Sequence, residues 1–363
     1  MLLLHTSDWH LGRSLHRADL RDAQAGFVDH LVDVVRSEGV DVVVVAGDVY
    51  DRAVPPLDAI ALCESAFVRL REAGARVVVI SGNHDSARRL GFGSGLIDAS
   101  GVYLRTDLAT ADVPVVIDGV PFFAVPYLEP AAHGARSHKE VLTCALARVR
   151  KVAPPQSVVL AHCWVAGGLA SESERDITVG GVSAVPLSLF DGFAYTALGH
   201  LHGAQVLTDT LRYSGSPLAY SFSEATHTKG SWLVELGGQT TFVPAPVPRR
   251  LSTLRGELST LLADPTLAGQ EPDYLSVTLT DATRPEAAMD RLAHRFPHVL
   301  VLAHEPSGLA RVEGSYGSRV AGRTDLEVAT AFVEHVRRTP AAPAELILLE
   351  AAFEAVRVEA ASA

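Results

Sequence analysis

Residues 1–12 read MLLLHTSDWHLG, and this stretch decides how the rest of the chain can be interpreted. The apolar segment Met1–His5 predicts a buried strand, and it runs directly into Asp8 and His10, whose side chains can both bind a metal ion. Because residues i and i+2 of an extended segment point the same way, these two side chains can bind one ion together. The stretch therefore predicts a strand that ends in a metal site.

The same succession of apolar strand and polar side chain recurs at VDVVVVAGD (40–48), ARVVVISGNHD (75–85), SVVLAHCW (157–164) and GFAYTALGHLH (192–202). In α/β sheets, sites form at the carboxyl ends of strands. These strand ends together present seven candidate ligands, which are too many for one ion. Seven ligands suit two divalent ions that share a carboxylate. A mixture of His, Asp and Asn favours manganese, iron or zinc over magnesium. The candidate ligands are Asp8, His10, Asp48, Asn83, His162, His200 and His202.

Helical periodicity alternates with these strands at the start of the chain. Asp22–Ser37 and Leu57–Ala73 each carry apolar residues at helical spacing and are followed by a glycine. The resulting β-α-β-α-β order predicts a layered α/β core. Further expected elements are strands at 113–117 and 120–125, a helix at 138–151 and short antiparallel strands between 205 and 243.

Composition limits the class of protein. Of 363 residues, 48% are hydrophobic and 20% charged, which is typical of a globular chain. No apolar run approaches the roughly 20 residues that span a bilayer, and no signal peptide is recognisable, so we expect a cytoplasmic protein without a membrane partner. Three scattered cysteines agree with a reducing compartment. A formal net charge of −11 argues against a nucleic-acid partner unless metal ions supply positive charge at the site.

The ordered motifs D-x-H, G-D, G-N-H-D, H and G-H-x-H, which run from Asp8 to His202, resemble the signature of the calcineurin-like metallophosphoesterase superfamily. The resemblance implies a core of two sheets flanked by helices, with Asp48 bridging two metal ions. It implies that His84 stabilises the reacting phosphate or protonates the leaving oxygen, and that Asp85 orients His84. One departure is Ala161, where a glycine often precedes the histidine. By the same resemblance, one ion is completed by Asp8, His10 and His202, and the other by Asn83, His162 and His200.

Longer motifs narrow the resemblance within the superfamily. LLLHTSDWHLG, VVAGDVYDRAVPP, LGHLHGAQ and RYSGSPLAYSFSE are similar to the nuclease subunits of bacterial SbcCD-type DNA repair complexes. That family implies a manganese-dependent exonuclease on double-stranded DNA ends and an endonuclease on single strands or hairpins. It also implies a homodimer and an SbcC-type ATPase partner. The role of Asp51 stays open, because related proteins often have a histidine there.

The expected domains are a nuclease domain at 1–245, a DNA-binding α/β cap at 246–318 and C-terminal helices at 319–363 that bind the ATPase. The proline-rich segment VPAPVPRR, residues 243–250, is the clearest linker. Each C-terminal helix has an apolar stripe that needs a covering surface, provided either by the ATPase or by the same chain. The stripes comprise Leu326, Ala329, Phe332, Val333 and Val336, then Ile347, Leu348, Ala351, Ala352 and Ala355.

DNA contacts are expected from basic residues that follow the ligand motifs, namely Arg13, Arg17, Arg88 and Arg89. The alternative function is a stand-alone phosphodiesterase or phosphatase that acts on a small molecule. A non-catalytic scaffold is disfavoured, because no ligand of the signature is missing.

Overall fold

The computed structural model describes residues 1–178, 184–306, 323–337 and 339–362, with side chains described as far as Val356. The chain divides into two compact units, Met1–Pro306 and Ser307–Ala363. The expected boundary between residues 318 and 319 lies outside the described residues.

As far as residue 162, the strands and helices that the sequence predicts are present in the predicted order, and the structure adds a short hairpin at 14–19, two short helices between 87 and 97 and a strand at 102–105. The strands are β1 (Leu2–Thr6), β2 (Ser14–Leu15), β3 (Ala18–Asp19), β4 (Val42–Ala46), β5 (Arg76–Ile80), β6 (Val102–Arg105), β7 (Val115–Ile117), β8 (Val120–Val125), β9 (Val158–His162), β10 (Tyr195–Gly199), β11 (Gln205–Thr208), β12 (Leu211–Tyr213), β13 (Gly230–Glu235), β14 (Thr240–Pro244), β15 (Leu251–Gly256), β16 (Tyr274–Leu279) and β17 (Val299–His304). The helices are α1 (Arg21–Glu38), α2 (Leu57–Glu72), α3 (Ala87–Leu90), α4 (Ser94–Ile97), α5 (His138–Arg150), α6 (Leu258–Ala263) and α7 (Ala288–Ala293).

Two six-stranded sheets form the core. The first has the order β14-β13-β1-β4-β5-β6 and the second β11-β12-β10-β9-β8-β7. Strands β1, β4, β5 and β6 are parallel neighbours, as are β8, β9, β10 and β12, while antiparallel strands complete the edges. This mixed α/β arrangement, with helices outside the sheets, confirms the expected fold class.

Alternation along the strands explains the layers. In β4, Val42, Val44 and Ala46 pack between the two sheets, whereas Val43 and Val45 pack against the helices α1 and α2. A strand that is covered on both faces has apolar residues at successive positions, and β4 is an example. His5 joins the sheets, because its ring nitrogens lie 2.9 Å from the Tyr195 hydroxyl and 3.1 Å from the Leu198 carbonyl oxygen.

The segment 205–244 differs from the expectation in one respect. Its four strands pair as antiparallel hairpins, as expected, but the hairpins join different sheets. Strand β12 lies parallel to β10 in the second sheet, and β13 lies antiparallel to β1 in the first. The segment therefore connects the two sheets near the carboxyl ends of β1 and β10.

Residues 251–304, within the segment expected to be an α/β cap, form a small α/β unit. Strands β15, β16 and β17 make a parallel sheet covered by α6 and α7, around a core that includes Leu292 and Phe296. Sequence analysis missed β15. A second apolar cluster connects this layer to the rest of the first unit, since Leu251 and Tyr274 pack against Leu218 and Tyr220.

The described part of the second unit contains the two expected helices, α8 (Asp325–Arg337) and α9 (Pro343–Ser362). The helices contact each other, and Arg337 pairs with Glu345. In the first predicted stripe Leu326, Ala329 and Val333 are half-buried, whereas Phe332 is 51% accessible. In the second stripe Leu348 is 70% accessible. No helix in the described part of the chain is long and apolar enough to cross a membrane.

Candidate metal centre

The seven predicted ligands meet at the carboxyl ends of β1, β4, β5, β9 and β10, where the two sheets face each other. Six are buried and Asn83 is half-buried. Four have positive φ angles: 52° at Asp8, 45° at His10, 49° at Asp48 and 106° at His200. Non-glycine residues seldom adopt this backbone conformation, and such strain concentrates at functional sites.

One group of ligands surrounds a pair of facing imidazoles. The Nε2 atoms of His10 and His202 lie 3.0 Å apart, and each can place a ligand atom within 4.8 Å of the Asp8 carboxylate. Nδ1 of His10 has no hydrogen-bond partner although it is buried. Two imidazole nitrogens that face each other beside a carboxylate are better explained as ligands of a shared cation than as hydrogen-bonding groups of a protein core.

The second group contains Asn83, His162 and His200. The Asn83 Oδ1 lies 2.8 Å from the His162 Nε2 and 3.1 Å from the His200 Nδ1. The buried Nδ2 of Asn83 has no partner. An amide oxygen and two imidazoles within this distance form a second donor set for a divalent ion.

Asp48 lies between the two groups. Its Oδ2 is 3.7 Å from the His10 Nε2 and 3.5 Å from the His162 Nε2. Burial opposes the charge on this carboxylate, but the charge and hydrogen bond of His162, together with the charges on His10 and His84, outweigh that effect and hold the pKa of Asp48 well below its usual range. Asp8 also lies near both groups, since it can place a ligand atom within 4.8 Å of those of Asp48 and His162.

The residues present fit divalent metal ions. The donors are imidazole, carboxylate and amide oxygen, and none is a cysteine, as expected for an open catalytic site rather than a structural zinc site. Two pKa values show how closely these charges are packed without an ion. Burial, opposed by the nearby histidines, raises the pKa of Asp8 to about 6. Burial would lower the pKa of His162, but Asp48 raises it to about 9.

Glycines next to the ligands are required by close packing. A Cβ at Gly82 would overlap the Asp48 carboxylate, and a Cβ at Gly47 would overlap the His162 ring. Gly47 also has φ +94°, which side-chain-bearing residues rarely adopt. The backbones that follow β4 and β5 can therefore approach each other closely, because Gly47 and Gly82 have no side chains.

His84 lies beside the ligands, with its ring 4.6 Å from that of His10. Its Nδ1 is 2.8 Å from the Asp51 carbonyl oxygen, which can only accept, so Nδ1 carries a proton and Nε2 faces the site. Geometry alone would also allow His84 to coordinate an ion together with His10 and Asp48. The assignment of His84 to proton transfer rests on the resemblance.

Asp85, which the resemblance implies orients His84, has its carboxylate hydrogen-bonded to the backbone. The Asp85 carboxylate accepts three backbone N–H groups, from Val49 at 3.1 Å, Tyr50 at 2.9 Å and Gly82 at 2.9 Å. The carboxylate therefore joins the loops after β4 and β5, and the Asp51 backbone orients the imidazole instead.

The predicted DNA-contact residues differ in exposure. Arg17, Arg88 and Arg89 are exposed, although Arg89 also donates to the Ala53 carbonyl oxygen at 2.9 Å. Arg13 is mostly covered: it donates to the Ser173 carbonyl oxygen at 2.9 Å and lies 4.9 Å from the centre of the Tyr220 ring. Arg13 is therefore held by contacts within the protein near the site, and little of its side chain is accessible to DNA.

Sequence analysis missed Arg175, an exposed residue at the opening of the site. Its Nη1 lies 3.3 Å from the Asn83 carbonyl oxygen, and it lines a cavity of about 330 Å³ together with Tyr127. It missed Ser173, Glu224 and Lys229 as well, which form a buried polar cluster behind His202. Burial opposes the charge on Glu224, but the nearby His202 and the charge on Lys229 together hold the pKa of Glu224 well below its usual range. No local pattern marks these residues, because their roles depend on contacts across the fold.

Two solved structures are distantly similar to this chain. GAP50, the anchor in the inner membrane complex of Plasmodium, is 10% identical with a TM-score of 0.37, over 85% of this chain and 98% of that chain. A beta-glucosidase from Exiguobacterium marinum is 9% identical with a TM-score of 0.24, over 84% of this chain and 89% of that chain. Similarities at this level carry no conclusion about fold or function.

Matches to protein-family models are more informative about this chain than these structural similarities. Residues 1–204 match the calcineurin-like phosphoesterase family, which covers every candidate ligand. Residues 247–337 match the SbcD_C family, described as the type 5 capsule protein repressor C-terminal domain. The two matches together are consistent with an SbcD-type nuclease subunit. The chain belongs to the calcineurin-like phosphoesterase family.

Proposed function

We propose that the protein is a two-metal DNA nuclease, the nuclease subunit of an SbcCD-type complex that processes DNA ends during repair. The proposed activities are exonuclease on double-stranded ends and endonuclease on single strands and hairpins. The observation that carries the proposal is the meeting of two donor groups on either side of Asp48, in a chain whose C-terminal region matches the SbcD_C family.

The donor groups define what the site can do. Two divalent ions, most suitably Mn²⁺, would polarise the scissile phosphate and make a water molecule nucleophilic near neutral pH. Asp8, His10 and His202 would hold one ion, Asn83, His162 and His200 the other, and Asp48 both. Backbone N–H groups hold two of these carboxylates in place, because His200 donates to Asp8 at 3.0 Å and His84 donates to Asp48 at 2.8 Å.

His84 is suited to act on the leaving oxygen. With Nδ1 donating to the Asp51 carbonyl oxygen, Nε2 is the ring atom available to substrate. A protonated imidazole can donate from Nε2 to the departing 3′ or 5′ oxygen, and general acid catalysis of this kind contributes about 10²–10⁴-fold. Asp85 acts on His84 only through the loops that it joins.

DNA phosphates would be bound at the opening of the site by exposed arginines. Arg175 lies next to Asn83, and Arg88 follows the same loop after β5. The net charge of −11 means that these few cations and the metal ions must offset a repulsive background. Binding should therefore weaken steeply with salt and require metal.

The proposed homodimer would form through α2, α3 and α4. These helices and the turn between α3 and α4 expose large apolar side chains, with 84% of Leu57, 84% of Phe92 and 86% of Leu96 accessible. They border an open apolar cavity of about 680 Å³. Exposed apolar surface of this kind is typical of protein–protein interfaces.

The proposed SbcC-type ATPase would bind α8 and α9, whose exposed apolar side chains include Phe332, Val336, Ile347 and Leu348.

We keep the proposed domains as a nuclease domain at 1–245, a DNA-binding cap at 246–318 and partner-binding helices at 319–363. The three cysteines are free, which agrees with the proposed cytoplasmic location.

The proposal is tested with the full chain, MnCl₂, a labelled DNA hairpin and a small chromogenic phosphodiester. We expect DNA cleavage that chelator abolishes and that Asp48→Asn, a substitution of nearly the same shape, removes. The matched control is Asp209→Asn, an exposed residue of the β11–β12 turn. Turnover of the small phosphodiester without DNA cleavage would favour a small-molecule phosphodiesterase. No turnover of either substrate would contradict the assignment as an enzyme.

A further inference from the structure

A buried ion pair lies directly behind the candidate metal ligand His202. Glu224 is fully buried and Lys229 is 5% exposed, and the two side chains pair with each other. Burying an ion pair costs desolvation free energy that an apolar pair would not. Neither residue belongs to a strand or to an α-helix, so the secondary structure gives no reason for the pair.

Ser173 connects the ion pair to the ligand. Its hydroxyl hydrogen-bonds both the Glu224 Oε1 and the His202 Nδ1, and Glu224 Oε1 lies 3.6 Å from that Nδ1. A carboxylate only accepts, so the single hydroxyl proton of Ser173 goes to Glu224. The hydroxyl oxygen must then accept from His202, which places the ring proton on Nδ1. The lone pair of His202 is thereby left on Nε2, the atom that faces His10.

Two further contacts fix the backbone of His202. Lys229 Nζ donates to the His202 carbonyl oxygen at 2.8 Å and to the Ser216 hydroxyl at 3.0 Å. The backbone N–H of His202 donates to Glu174 Oε1 at 2.7 Å. The residue is therefore held at its N–H, its carbonyl and its outer ring nitrogen by the same polar cluster.

We propose that Glu224, acting through Ser173 and paired with Lys229, is a positioning residue that fixes His202 in the tautomer and orientation needed to bind a metal ion. The role is specific to the ion shared with Asp8 and His10, because Ser173 and Glu224 contact no ligand of the other group. This inference rests on the proposed two-metal site.

The test measures Mn²⁺ binding to the metal-stripped full chain by calorimetry, with the spin-coupled signal of paired Mn²⁺ ions followed by electron paramagnetic resonance. We expect two ions on the unaltered chain. Ser173→Ala should weaken one of them by about 10–100-fold, leave the other unchanged and remove the spin-coupled signal at limiting metal. Ser173→Thr, which keeps the hydroxyl, should restore both. Ser223→Ala is the matched control, since its exposed hydroxyl accepts from the Glu172 backbone N–H and donates to the Ser221 hydroxyl.

A second variant separates positioning from folding. Glu224→Leu/Lys229→Met replaces the ion pair with apolar groups and should fold, because such replacements are often neutral or stabilising. It should lose the same single ion, while its melting temperature without metal stays within a few degrees of the unaltered chain. Two ions bound with unchanged affinity by both Ser173→Ala and the double variant would overturn the inference alone. An unaltered chain that binds no Mn²⁺, or one ion only, would overturn the two-metal proposal and this inference with it.

Discussion

His84 Nδ1 and the backbone carbonyl oxygen of Asp51 lie 2.8 Å apart, so a main-chain acceptor sets the direction of the imidazole. The Asp51 carboxylate itself lies 3.7 Å from the His10 Nδ1 and 3.7 Å from the Arg13 Nε. One residue thus contacts the proposed proton donor through its backbone and borders a metal ligand through its side chain. Substitutions of the Asp51 side chain should therefore leave the orientation of His84 intact.

His84→Gln should abolish turnover without removing metal. Glutamine can retain a hydrogen bond to the Asp51 carbonyl oxygen but cannot act as a general acid. We expect the single-turnover rate of hairpin cleavage in Mn²⁺ to fall by about 10²–10⁴-fold. Calorimetric Mn²⁺ stoichiometry on the same sample is the control. Loss of a bound ion in this variant would mean that His84 is a ligand, as one of the geometric groupings allows.

Asp85→Asn should destabilise the fold around the site. The native carboxylate accepts three backbone N–H groups, whereas an amide presents an NH₂ group to at least one of them. Leaving a buried donor unpaired costs about 1–3 kcal/mol, which urea unfolding measures. Asp29→Asn removes only the exposed pair with Arg69 and should cost less than about 1 kcal/mol. Equal costs for the two variants would contradict the proposed structural role of Asp85.

Mn²⁺ affinity should rise with pH across the neutral range. Asp48 raises the pKa of His162 to about 9, so below that pH an ion must displace a proton from this ligand. The affinity of one ion should therefore increase about tenfold per pH unit between pH 6.5 and 8.5, and level off near pH 9. Below pH 6 the slope should steepen, because burial raises the pKa of Asp8 to about 6. Calorimetry in several buffers also counts the protons released, and an affinity independent of pH would contradict the expectation.

Phe92→Glu should convert the proposed dimer to a monomer. Phe92 is 84% exposed beside the apolar cavity next to α2, so a charge there would be unfavourable in an interface but harmless to the isolated chain. Light scattering after size-exclusion chromatography gives the mass. Leu169→Glu changes a residue that is 78% exposed and does not line this cavity, and it should leave the mass unchanged. A dimer that survives Phe92→Glu would assign the interface to another surface.

Local sequence patterns determined the longer elements of the core and the positions of the candidate ligands at strand ends. The apolar runs that became β4 and β5 are strands buried throughout except at Arg76, and their covering helices begin and end within about a residue of the predicted positions. All seven candidate ligands lie where a strand meets a loop, because an apolar run followed at once by Asp, Asn or His is visible in the chain itself. Hydrophobic periodicity and an apolar run that ends in a ligand are both local features of the sequence, so they can be recognised without knowledge of the fold.

Only the tertiary structure decided which groups act together. Ser173, His202 and Glu224 are up to 51 residues apart, and Asp85 contacts backbone groups 35 and 36 residues away rather than the neighbouring His84. The division of 205–244 between two sheets was equally invisible, since strand pairing depends on which edge is free. Periodicity records which face of an element is buried, but hydrogen-bond partners are selected by the geometry of the whole fold.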